Sequence, residues 1–288
     1  MGGFSMNTEQ CLHDIAQMGL NLYDAAFYTD DGVFARRFQP CNACNDSYSV
    51  AKVFVMTAIG ILCDRGKLDV QDSIADLFAG EISREASARW SGVTVEHALT
   101  HTIGFDEGFL DIDVEDVCAY PTDDYLSIVF DHPLRHKPGT HSQYSDAAFY
   151  LLSRVVSRVA GENVDALLYD AVIGSMGFRE VAWSRCPHGY PIGATGLYIR
   201  ADDMVKLGWL YLNRGMWNGR RLLSGRWVDM ALENEYELHP AAGGLIGKGG
   251  MYGQGLYFSE KGRFAVAWHA FENGRRMSAL MEYLSALQ

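Results

Sequence analysis

Ser49 stands three residues ahead of Lys52, at the mouth of the segment SVAKVFVMTAIGILCD, which carries no charge between Lys52 and Asp64. If a helix begins at Ser49, the two side chains share one face a turn apart, within hydrogen-bonding reach. A free serine hydroxyl is a weak nucleophile, and a desolvated lysine beside it is a group that can take its proton. A serine at a helix start also offers its own N–H to an oxyanion. An N-capping serine beside a lysine that merely snorkels is the plain alternative, and SxxK alone does not decide between them.

The elements that must hold this pair can be read around it. Apolar residues surround the whole of 49–63, as expected of a helix buried at the centre of the fold. Upstream, TEQCLHDIAQMG has helical spacing behind an Asn7 or Thr8 cap. NLYDAAFY and VFARRFQP then flank TDDG, a hairpin signature. Residues from about 70 to 190 alternate helical patterns with Pro and Gly turns and show almost no strand alternation. GLYIRADDMVKLGWLYLNRG reads as a further helix, YGQGLYFS and GRFAVAWHA as strands around a turn at EKG, and ALMEYLSALQ as a closing helix.

The expected fold is therefore α/β (α+β): an antiparallel sheet from both chain ends flanked by helices (about 1–69 and 195–288), plus an all-α subdomain (about 70–194), in one 288-residue unit. A net charge of -12 and a pI near 5.1 argue against nucleic-acid and anionic-membrane partners and leave a small-molecule substrate. No run of eighteen apolar residues suggests a membrane span. Six irregularly spaced cysteines point to reduced thiols in a cytoplasmic setting. Cys41 and Cys44 form a CxxC, but no second CxxC or His pair completes a zinc site. MGGFS, ahead of Met6, reads as an appended segment, and MGGFSMNTEQ lacks the phases of a signal peptide, so a removed leader is left open.

A second cluster lies at KPGTHSQYSDAAFYLL, where a Pro-Gly turn leads to Tyr144, Ser145 and Asp146 ahead of an apolar helix. With SxxK, this PGT-like turn and its tyrosine, and with LTHTIGF at 99–105, the chain resembles the serine β-lactamase and DD-peptidase superfamily, in its branch of class C β-lactamases and related serine esterases. The resemblance implies a β-lactamase/transpeptidase-like fold and an acyl-serine hydrolase acting on small esters or on β-lactam and D-alanyl amides. Ser49 would be the nucleophile, Lys52 its proton partner and Tyr144 the phenol that shuttles a proton. A phenol beside a cationic lysine is expected to have a depressed pKa. No cofactor or metal is implied.

Two departures stand out. Asp146 occupies the place of the family's asparagine, where a carboxylate accepts but cannot donate to a substrate carbonyl, and it would hold Lys52 charged. Esters should then be favoured over acylamino substrates. For the third motif, KTG or HxG in the family, His269 with Ala270 and Phe271 in WHAF is preferred, with Phe271 in place of a glycine narrowing the channel. On this reading the family's final strands are missing or replaced. Lys248 in GKGG is the alternative, expected in a loop. His97 and His101, four apart, are read as structural rather than as a zinc pair. A non-catalytic ligand-binding relative that keeps the fold is the rival function.

Overall fold

The computed structural model describes residues 6–287, and the MGGFS segment lies outside them. Asn7 caps helix α1 (Thr8–Gln17) by accepting the Gln10 N–H at 3.0 Å. The TDDG turn joins β1 (Leu22–Thr29) to β2 (Gly32–Arg37) as an antiparallel hairpin. After the short strand β3 (Asn45–Asp46), one 3₁₀ turn at Tyr48–Val50 runs straight into helix α2 (Ala51–Asp64). Every residue of α2 from Ala51 to Leu62 is buried, which is what its all-round apolar pattern requires.

Helices α3 (Ile74–Leu77), α4 (Arg84–Arg89), α5 (Val95–Leu99), α6 (Tyr125–Asp131), α7 (Asp146–Ala160) and α8 (Val164–Leu168) follow. The stretch read as helical also holds one strand, β4 (Val181–Trp183), which pairs with β5 (Leu197–Ile199), itself paired with β3. Three residues are too few to display a period of two, so the pattern of this strand is silent in the sequence.

Helix α9 (Ala201–Leu212) leads to the ribbon β6 (Met216–Trp217) and β7 (Arg220–Arg221), then to helix α10 (Gly225–Glu233). Strands β8 (His239–Pro240), β9 (Ile246–Gly249), β10 (Gly255–Ser259) and β11 (Phe264–Ala270) precede helix α11 (Gly274–Ala286). The main sheet has the order β2-β1-β11-β10-β9-β8, antiparallel throughout, so the N-terminal hairpin docks on the last strand of the chain.

Both faces of this sheet are covered. Phe264, Val266 and Trp268 of β11 join Leu12 and Ile15 of α1 and Leu280 and Leu284 of α11 in one core, while Ala265 and Ala267 face the larger core that contains α2, α7 and α9. The alanines admit α9 closely: a Cβ on its Gly208 would lie 3.3 Å from the Ala265 Cβ. A strand buried on both faces reads as a continuous apolar run, and FAVAWHA is one. No described helix is long and apolar enough to cross a membrane.

Candidate active site

Three elements converge where α2 begins. Asp46, whose carboxyl burial pushes up to about 6, accepts the Tyr48 N–H at 2.8 Å and fixes the turn. Tyr48 takes φ 47, a left-handed conformation costly for a residue with a side chain and found where a site constrains the backbone. This turn presents Ser49, half-buried, one helical turn from Lys52, which is 0% exposed.

The Lys52 Nζ donates to Asp146 Oδ1 at 2.7 Å, to the Ala194 carbonyl at 2.9 Å and to Ser49 Oγ at 3.3 Å. Three acceptors match the three N–H bonds of an ammonium. The Tyr144 hydroxyl donates to the same Ser49 Oγ at 2.9 Å. Tyr144 is held on the loop into α7 by backbone pairing of that loop with the 101–109 segment: Gln143 N donates to the His101 carbonyl and Ala147 N to the Phe109 carbonyl. A Cβ on Gly108 would lie 2.9 Å from the Tyr144 carbonyl, so only glycine lets the two stretches meet there. Ser49, Lys52, Tyr144 and Asp146, 95 residues apart at the widest hydrogen bond, are thus brought into one cluster.

The phenol does not have the depressed pKa expected from a lysine neighbour. Burial of the hydroxyl raises it above the ordinary tyrosine value, Lys248 pulls it down, and Glu237 and Asp146 push it up. The ring itself is 44% exposed, so it is the hydroxyl end, turned into the cleft at Ser49, that burial acts on. Lys52 and Asp146 were visible in the sequence, but the burial of the hydroxyl and the Glu237 carboxylate were not.

The third-motif assignment also changes. His269 is 0% exposed in the middle of the sheet, its Nδ1 2.9 Å from Asp24 Oδ1, and Ala270 is buried with its carbonyl accepting from Gln254 Nε2. Neither lines the cleft. Phe271 is 54% exposed and stacks on Tyr252 at 4.7 Å, which meets Tyr48 edge-on at 5.1 Å, so it extends an aromatic row beside the Tyr48–Val50 turn.

The group that reaches the cleft is Lys248, on β9 rather than in a loop, with its Nζ 4.8 Å from the Tyr144 ring centroid and an ion pair to the buried Glu237. The glycines of GKGG are there for close approach: a Cβ at Gly247 would fall 2.1 Å from the Leu256 carbonyl, and one at Gly250 2.9 Å from that of Ser47. Two strands and a helix follow Lys248, so the strands thought missing are β10 and β11.

Further residues were not singled out as part of the site. Glu237 and His101 flank Lys248 and Tyr144, and Asp111 and Asp113 lie near Asp146, the three carboxylates offering oxygens within 4.8 Å of one another. Thr195 Oγ1 donates to Asp113 at 2.6 Å, and the Lys52 ammonium faces all three acids. His97 closes a capping box with Thr94 on α5. Cys41 and Cys44 are among six free cysteines, and both thiols are raised, that of Cys44 to about 11, chiefly by burial.

Comparison with known proteins gives the family and the fold. The Beta-lactamase family model matches residues 42–278. By sequence, the chain is similar to penicillin-binding protein 4 of Amycolatopsis lactamdurans, 29% identical over 171 residues, which are 59% of this chain and 41% of that relative, so the match spans less than half of its length. By structure, it is similar to a penicillin-binding protein homologue from Caulobacter crescentus (TM-score 0.74, 17% identity, 100% of this chain and 99% of the other) and to a penicillin-binding protein from Bacillus halodurans (TM-score 0.71, 22% identity, 95% and 99%). With a family model spanning SxxK, the tyrosine motif and the Lys248 strand, this chain belongs to the Beta-lactamase family.

Proposed function

We propose that the protein is a serine hydrolase that works through an acyl-serine intermediate on small esters, in preference to β-lactam or D-alanyl-type amides. One observation carries the reading: the Ser49 Oγ lies within hydrogen-bond reach of both Tyr144 and Lys52. The serine adds to the ester carbonyl carbon and its proton leaves to the Tyr144–Lys52 pair. The carbonyl oxygen becomes an oxyanion beside the Ser49 N–H, and collapse expels the alkoxide, which takes the proton back. Water then repeats the sequence on the acyl-serine.

In the resting site Ser49, Tyr144 and Lys52 each hold a proton, since Lys52 uses three N–H bonds and the phenol is raised. One proton must leave this coupled group before Ser49 can be activated, whichever member yields it. Asp146 supports the ester preference because, bound to Lys52, it offers no donor to an acylamino carbonyl.

The test is hydrolysis of a neutral p-nitrophenyl ester and of a chromogenic cephalosporin across neutral and mildly alkaline pH. The expected result is faster ester turnover, with kcat/KM climbing about tenfold per pH unit below the plateau, as loss of one proton requires. A profile flat from pH 6 upward would mean that the site rests already deprotonated, and faster cephalosporin turnover would reverse the assigned preference.

A further inference from the structure

Glu237 is a buried carboxylate in the link between α10 and β8, ahead of the Lys248 strand and far in sequence from the Ser49 and Tyr144 motifs. Its backbone takes φ 65, a left-handed conformation that a side chain makes costly. Two cationic or donor side chains meet it. Its Oε1 is 2.7 Å from the His101 Nε2, and its other oxygen pairs with Lys248.

The hydrogen bonds fix the state of His101. Its Nδ1 accepts the Ser145 N–H at 3.3 Å, so the ring proton sits on Nε2 and points to Glu237. Both partners then touch Tyr144: the His101 ring centroid is 4.5 Å from that of Tyr144, and the Lys248 Nζ is 4.8 Å from it. His101 also grips, through Ser145, the backbone residue that follows Tyr144.

We infer that Glu237 is the positioning residue of this site: its carboxylate holds His101 and Lys248 against the Tyr144 ring and so sets where the phenol points and how tightly it keeps its proton. The inference rests on the acyl-serine reading and adds a group that touches neither substrate nor nucleophile. The charged and titratable groups around the phenol are Ser49 on the 3₁₀ turn, Lys52 on α2, His101 after α5, Asp146 on α7, Glu237 after α10 and Lys248 on β9. Among them Glu237 is the carboxylate that binds two of the phenol's other neighbours at once.

Glu237→Gln keeps the shape but sets an amide N–H against a donor, either the Lys248 ammonium or the His101 Nε2–H. It also removes a negative charge that favours the neutral phenol, and the sign follows directly: the phenol loses its proton more readily. The expected result is ester kcat lowered about tenfold or more with KM little changed, and the rising limb of the pH–rate profile moved to lower pH. Glu237→Asp, which keeps the charge, should leave the limb near its wild-type position. Where Glu237→Gln gives too little folded protein, Lys248→Gln carries the test with the opposite sign, since losing the ammonium moves the limb to higher pH.

A limb that stays in place in the folded variant, with activity lost only in step with the folded fraction, overturns the inference. Phosphonate labelling of Ser49 in the same preparations separates the two readings. A labelled wild type with an unmoved limb removes only the role of Glu237, whereas an unlabelled wild type removes the acyl-serine mechanism beneath it.

Discussion

Lys52→Ala is expected to lower ester hydrolysis by about a hundredfold or more, the usual scale for loss of a proton-transfer group, and to destabilise the fold at the same time. Lys52 is 0% exposed and its partner Asp146 only 7%, so truncation leaves a buried carboxylate facing a void lined by Ser49 and the Ala194 carbonyl. Breaking a buried pair from one side costs about 3–5 kcal/mol, because the remaining charge is uncompensated. The nearby Asp111 and Asp113 worsen this, since both face the same ammonium. Thermal unfolding and p-nitrophenyl ester turnover, measured together, check the prediction. A folded Lys52→Ala protein with wild-type rates would show that the lysine only ties α2 to α7.

Tyr144→Phe is the cleaner lesion. Its ring is partly exposed and its hydroxyl makes one hydrogen bond, to Ser49 Oγ, so stability should change by about 1 kcal/mol at most. Turnover should nevertheless fall by about a hundredfold or more, because the serine loses the group that relays its proton. The contrast between the two variants, with activity lost in both and stability lost in one, separates the proton-transfer role from the structural one. Near-native turnover in Tyr144→Phe would put the whole burden on Lys52.

These two residues were legible because their signals are local. Ser49 and Lys52 share one helix turn, and Tyr144 follows a PGT-like turn and precedes an apolar helix. The hairpin at TDDG and the buried helix after Ser49 were legible for the same reason: each is specified by residues adjacent in the chain. His269 misled because its place after YGQGLYFS matches the motif by position, while its own run FAVAWHA is buried on both faces and so belongs in the middle of a sheet.

Lys248 was set aside because GKGG stands ahead of the YGQG strand and reads as a loop, and the reason for its glycines is visible only when β10 and Ser47 come against them. Glu237 gave no signal at all. Its partners His101 and Lys248 come from other segments, and nothing in LENEYELHP marks one acid among three as buried. The raised phenol belongs to the same class, since it depends chiefly on burial and on the Glu237 carboxylate that the fold brings in from the link after α10.

The central claim is that Ser49 becomes acylated, and intact-protein mass spectrometry after exposure to a fluorophosphonate, with peptide mapping, tests it most directly. The predicted result is a single adduct on Ser49 that is absent in Ser49→Ala. An adduct that persists in Ser49→Ala, or that maps to another residue such as Ser175, would contradict it.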